Sequence, residues 1–139
     1  FMIFLTSYGK EITVKKASKY LIDWDSESKS LIQKSVKDFI YDRWFADRVF
    51  EEFPVAGSRL SFDFYNATKK MAIEVDGSQH YQYNKFFHSN SRQKFLDQLK
   101  RDQKKDEFCE INNIKLFRIL EDEIREKIFP SKEFIKWLS

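Results

Sequence analysis

Ser58–His80 reads S-R-L-S-F-D-F-Y-N-A-T-K-K-M-A-I-E-V-D-G-S-Q-H, two short β-strands around a polar turn. Apolar and aromatic residues fill Leu60–Tyr65 and Met71–Val75, and Asn66-Ala67-Thr68 supplies the turn. Strand side chains alternate faces, so Glu74 and Asp76 share one side while Ile73 and Val75 point into the protein. Asp63 precedes Glu74 by eleven positions, a separation that lets paired strands bring the two level. Three carboxylates at one end of a hairpin repel each other unless a cation or protons neutralise them. Hard oxygen donors suit Mg2+, and Asp63, Glu74 and Asp76 are the expected ligands of a hydrolytic centre. A hairpin with solvated surface carboxylates has the same composition.

Outward from this hairpin, Met2–Lys16 predicts a second one, with Tyr8-Gly9-Lys10 at its turn. Ile32, Val36, Phe39 and Ile40 recur at helical spacing and predict a helix over Leu31–Trp44, with Ser26 or Ser28 as its N-cap. Arg48–Phe53 reads as a strand before Pro54. Tyr81–Asn90 has no clear period and reads as a loop rich in aromatics. Ser91 is the expected cap of a long helix to about Asn112, with Phe95, Leu99, Phe108 and Ile111 buried. Lys115–Ile119 is a short strand, and two helices follow, Glu121–Ile128 and Ser131–Leu138, separated by Pro130. The order α-β-β-β-α-β-α predicts an α/β or α+β core, a mixed central sheet flanked by helices.

A chain of 139 residues with 42% hydrophobic and 17% aromatic content is one folded domain rather than a disordered segment. The expected division is an N-terminal hairpin extension (1–25), a core (26–120) and C-terminal helices (121–139). No apolar run approaches the ~18 residues of a membrane span, and no signal peptide is read. A lone Cys109 excludes an internal disulfide and a cysteine-based zinc site, fits a reducing cytosol, and reads as a buried structural thiol.

Net charge is only +3, but Lys94, Lys100, Arg101, Lys104 and Lys105 fall in one helical segment. A polyanionic partner accounts for that clustering. So does a solvated helix face, because Asp97, Asp102, Asp106 and Glu107 are interleaved. Both histidines, His80 and His88, follow the acidic strand. A neutral imidazole there acts as general base, and a cationic one steadies a phosphate. Asp97, Arg101, Asp102 and Lys105 stand at i,i+3 and i,i+4 spacings. If that helix crosses the sheet end, it delivers a cation to a scissile phosphate.

D-F-Y, then I-E-V-D-G-S-Q-H, then R-D-Q-K-K-D-E-F-C-E-I-N-N-I-K-L-F-R-I resembles the very-short-patch-repair-like branch of the PD-(D/E)XK nucleases. That branch includes phage homing endonucleases of the EDxHD group. The likeness runs from about Gln33 to Ile119. It implies a restriction-endonuclease-like core, an intracellular Mg2+-dependent DNA endonuclease (Mn2+ able to substitute), and Asp63 as main metal ligand. Glu74 and Asp76 then belong to the second acidic motif. His80 or His88 assists, Asp97 answers His88 as a histidine–aspartate pair, and Asp102 and Lys105 fall on the helix motif. Asp76 stands where the wider pattern has a lysine, whose role passes to His80, Lys105 or Lys100. The acidic residue expected on the preceding helix is replaced near Gln33, with Glu27, Asp38, Glu51 and Glu52 as alternatives.

Arg59, Lys69, Lys70, Lys100, Arg101 and Lys104 are the expected backbone contacts to double-stranded DNA. The aromatic loop Tyr81–Phe87 reads equally as a wedge or stack on bases and as buried packing. A single site cuts one strand, so the chain dimerises, acts twice or only nicks, and a homodimer is the expected arrangement. Two rivals stand beside the homing reading. One is a junction or mismatch-nicking nuclease with the same site; the other is a silent DNA-binding module.

Overall fold

The computed structural model describes residues 2–77 and 89–139, with backbone alone at 89–91. The elements are β1 (Met2–Leu5), β2 (Glu11–Val14), a 3-10 turn (Ala17–Tyr20), α1 (Leu31–Trp44), β3 (Val49–Pro54), β4 (Ser61–Asn66) and β5 (Met71–Asp76). They continue with α2 (Ser89–Ile111), β6 (Lys115–Leu120), α3 (Glu121–Arg125) and α4 (Lys132–Leu138). β3, β4 and β5 run antiparallel, while β6 pairs with β5 in parallel, so the sheet is mixed, in the order β3-β4-β5-β6. A parallel pair needs a crossover, and α2 spans it. The fold is thus the expected α+β arrangement, a mixed sheet flanked by helices.

Both sheet faces are covered. On one, Val36, Ile40 and Trp44 of α1 and Phe134 of α4 pack on Phe64, Ile73 and Ile119. On the other, Phe108 and Cys109 of α2 and Phe4 of β1 pack on Phe50, Phe62 and Ala72. Phe4 lies 5.4 Å from the Phe108 ring and 5.9 Å from the Phe53 ring. The Asn112 side chain then fixes β1 to the end of α2, accepting from Leu5 N (2.8 Å) and donating to Leu5 O (2.9 Å). Burial pushes the Cys109 thiol up to about 12, with Asp106 adding to it, which fits an inert structural thiol.

Several local expectations change. Ser30, not Ser26 or Ser28, caps α1, accepting from Gln33 N at 3.0 Å. Ser26 instead receives the buried Lys37 ammonium, and Ser28 donates to Glu51 Oε2 at 2.6 Å. α2 begins at Ser89 rather than Ser91, and residues 81–88 of the expected aromatic loop lie outside the described ones. Leu99 and Ile111 are exposed, because α2 covers the sheet with a narrow stripe.

One irregularity bears on the site. Strand alternation should send Phe50 and Phe53, three apart, to opposite faces, and likewise Phe62 and Tyr65. All four join one cluster. The β3–β4 register runs Glu51↔Phe64 then Phe53↔Phe62 without slipping, so the break falls where Glu52 stands across from Asp63. Glu52 has φ of 53°, a left-handed conformation that strains a residue with a side chain. No helix among the described residues is long and apolar enough to cross a membrane.

Candidate active site

The β4–β5 ladder reaches Phe64↔Ile73, and one step further sets Asp63 beside Glu74. There the carboxylates take over the backbone donors. Asp63 N donates to Glu74 Oε1 (3.1 Å), and Val75 N donates to Asp63 Oδ2 (2.7 Å). Both side chains are buried, on the face that α2 covers. Continuing the register across the sheet gives a row of Glu52, Asp63, Glu74 and Arg118, one residue from each of the four strands.

Each central carboxylate has its own cation. Lys105 Nζ lies 2.7 Å from Glu74 Oε2, reaching down from α2 in a nearly enclosed pair. Lys29 Nζ, from the loop before α1, lies 2.8 Å from Asp63 Oδ1 and 3.6 Å from Glu52 Oε1. Burial, then the adjoining Asp63, push the Glu74 carboxyl up to about 8 against the pull of Lys105. For Lys29, partial burial opposes the charge, but Asp63 and Glu52 outweigh it and raise the ammonium above its ordinary value.

Gln33 lies fully inside, and its Nε2 donates to both Glu51 Oε2 (2.9 Å) and Glu52 Oε1 (3.0 Å). Its Oε1 is buried with no hydrogen-bond partner among the described residues. Of the alternatives near Gln33, Glu51 is saturated by Lys37, Ser28 and Gln33, and Asp38 pairs with Lys34 on the outer face of α1. Glu52 is therefore the acidic neighbour of Asp63.

Asp76 shares a face with Glu74 as expected and lines the same cavity as Asp63 and Glu74. It pairs with Arg118 Nε (3.4 Å), whose Nη1 also binds Asp106 (2.7 Å) and whose Nη2 donates to Asp102 O (3.1 Å). The reason is the parallel β6 strand, which sets Arg118 beside Glu74 and on the way to Asp76. Among the described residues, no three of His, Cys, Asp and Glu form a metal-ligand group.

A cavity of about 430 Å³ opens over Asp63 and Glu74, walled by Lys29, Arg59, Arg101 and Lys105. Gln98, Arg101 and Lys105 line it together because i,i+3 and i,i+4 spacings share a helix face. The other expected DNA contacts separate. Lys104 lines a second cavity beside the N-terminal hairpin, Lys100 is exposed on α2, and Lys69 binds Asp47 at 3.1 Å. Asp97 is not in the cavity; its Oδ1 accepts from Gln93 Nε2 one turn earlier (2.9 Å). His80, His88 and the aromatic loop lie outside the described residues.

Two carboxylates suit Mg2+, which keeps most of its waters and takes one or two protein carboxylates plus substrate oxygens. Asp63 and Glu74 fit that description: they are adjacent, oxygen-only and open to a polar cavity. Lys29, with its side chain 59% exposed, stands on the Asp63 oxygen that faces this cavity.

Lys29 and Arg118 are the site residues that sequence reasoning missed. Lys29 lies in an aperiodic stretch before α1, where spacing says nothing about reach. Arg118 sits in a strand whose pairing partner only the parallel register reveals.

The chain is similar to viral proteins of uncharacterised role. It is 39% identical over 66 residues to uncharacterized protein 094L of Frog virus 3, and 35% identical over 66 residues to uncharacterized protein 033L of Invertebrate iridescent virus 3. A third, uncharacterized protein 307L of Invertebrate iridescent virus 6, is 35% identical over 60 residues. The matches cover 43–48% of this chain and only 30–43% of each relative. No protein-family profile and no solved structure matches it.

Proposed function

We propose that this chain is a Mg2+-dependent endodeoxyribonuclease that hydrolyses phosphodiester bonds in double-stranded DNA. The observation that carries the reading is the Asp63–Glu74 pair, locked by reciprocal backbone contacts at the floor of a cavity walled by four cationic side chains. Asp63 and Glu74 would hold Mg2+, which when bound supplies an acidified water and neutralises charge on the phosphate. Lys105 fixes Glu74 and places a positive charge beside the phosphate, the role a motif lysine would have two residues after Glu74. Arg59 and Arg101 clasp neighbouring phosphates, contacts that position DNA without reading its sequence.

The resemblance to phage enzymes extends this to a homing endonuclease. A junction- or mismatch-nicking nuclease uses the same centre, and preference for branched or mismatched substrates separates the two. A different class is favoured by one observation: Lys29 already neutralises Asp63 from within, as a silent DNA-binding module would have it.

Supercoiled plasmid incubated with and without Mg2+ decides between the classes. The wild type should nick in Mg2+ or Mn2+ and not in EDTA. Outer-shell changes at metal sites cost 10–100-fold, so Asp63→Ala, which removes a direct ligand, should lose at least about 100-fold. Plasmid bound but left uncut by the wild type would establish the silent module.

A further inference from the structure

The cavity beside the N-terminal hairpin has no role in the proposed centre, yet it adjoins it. It also measures about 430 Å³, lies between the hairpin tip, the β3–β4 turn and α2, and is lined by Tyr8, Lys10, Ser58 and Lys104, with Phe108 behind. The β3–β4 turn gives Arg59 to the first cavity and Ser58 to the second. α2 likewise gives Arg101 to one and Lys104 to the other, three residues apart and so neighbours on its surface.

Its walls are built rather than incidental. The tip is closed by Thr6 N→Lys10 O (2.8 Å) and Gly9 N→Thr6 O (2.9 Å), with Gly9 at φ of 76°. Opposite, Ser58 caps its own turn, donating to Val55 O (2.8 Å) and accepting from Leu60 N (3.1 Å). Gly57 has φ of 84°, and a Cβ there would stand 2.8 Å from Ile12 Cδ1, so hairpin and turn touch as closely as the chain permits. Phe4 and Asn112 hold the hairpin to α2. Tyr8 nevertheless projects from this fixed frame at 94% exposure. Lys10, Lys104, Arg59 and Arg101 form no ion pair among the described residues, whereas Glu107, the acidic lining residue, accepts from Gln103. A free aromatic face beside two lysines, which outnumber the one carboxylate of Glu107 in the lining, is the chemistry that binds an unpaired strand, stacking a base and holding its phosphates.

We infer that the second cavity is a single-strand subsite, in which a DNA strand leaving the Asp63–Glu74 centre past Arg59 and Arg101 stacks a base on Tyr8 and is held by Lys10 and Lys104. This rests on the nuclease reading for its direction and on the hairpin cavity for its content. The 1–25 extension thereby gives the enzyme a preference for substrates with an unpaired flank, such as an overhang, flap or fork.

The test is fluorescence anisotropy in EDTA, where no cutting intervenes, with the full chain on blunt duplex, overhanging duplex and single strand. Tyr8→Ala should weaken single-strand and overhang binding about tenfold and leave blunt duplex nearly unchanged. Lys10→Ala with Lys104→Ala should lower the salt dependence of single-strand binding by about 0.7 in log–log slope per lost contact. All three side chains are exposed, and circular dichroism checks that the fold is retained. Unchanged single-strand affinity in both variants, or equal losses on all three substrates, would overturn the subsite while plasmid nicking by the wild type stands. A wild type that neither nicks nor binds DNA sinks both readings.

Discussion

The two lysines of the centre do opposite work from similar distances. Lys105 lies 2.7 Å from Glu74 with both partners shielded from solvent, while Lys29 lies 2.8 Å from Asp63 with most of its own side chain in water. Distance alone would rank them equal. Burial separates them: the Lys105–Glu74 pair is enclosed on both sides, whereas the Lys29 ammonium can move into water and leave the buried Asp63 facing the cavity. The same sheet row thus contains a fixed cation and a replaceable one. The fixed cation stands over the strand that β6 covers, and the replaceable one over the strand open to the loop before α1.

Breaking the fixed pair should give the largest effect. Lys105→Met leaves Glu74 buried without its partner, and stability measured by urea unfolding at about pH 9, above the raised Glu74 value, should fall by up to about 3 kcal/mol. Adding Glu74→Gln to it should recover most of that loss, since the double variant has no stranded charge. A single variant as stable as the wild type would mean that Glu74 is already neutral and Lys105 contributes nothing.

The protonation of Glu74 sharpens the contrast. Its carboxyl is raised to about 8 by burial and by Asp63. The native state therefore holds a proton that the unfolded chain has released above about pH 4.5. This contribution is complete below the unfolded value and is lost as pH rises towards 8, with a slope of at most about 1.4 kcal/mol per pH unit. Urea unfolding of the Mg2+-free protein across that window should show the decline, and Glu74→Gln should flatten it. A wild-type curve rising with pH would contradict the assignment.

How far these features were legible in the sequence follows from their range. The Asp63–Glu74 pair was readable because a short turn and period-two alternation fix it locally. The helices of the described residues were readable for the same reason, although the cap at Ser30 was not, since three nearby serines compete. Alternation failed at Glu52 and Asp63, where a left-handed residue turns the strand and brings Phe50 and Phe53 to one face. Asp76 was readable as a neighbour of Glu74 because that parity is local; its ion pair with Arg118 was not, because Arg118 comes from a strand more than forty residues later. Reach from aperiodic loops, as with Lys29, leaves no periodic trace.

The smallest effect should come from the replaceable cation, and it is the most diagnostic. Lys29→Ala removes an ammonium that is mostly solvated but leaves the buried Asp63 without it, so unfolding stability should fall by about 1 kcal/mol, well short of the Lys105→Met loss. Its distinguishing consequence should appear in the metal requirement. With Asp63 relieved of its internal counter-charge, less Mg2+ should be needed for half-maximal plasmid nicking. Removing Lys105 should produce no such gain, because Glu74 would then bind its proton more tightly. If Lys29→Ala abolishes nicking with the Mg2+ requirement unchanged, Lys29 is a phosphate contact and not a stand-in. The two lysines would then belong to one cationic wall, and the distinction drawn from their burial would concern stability alone.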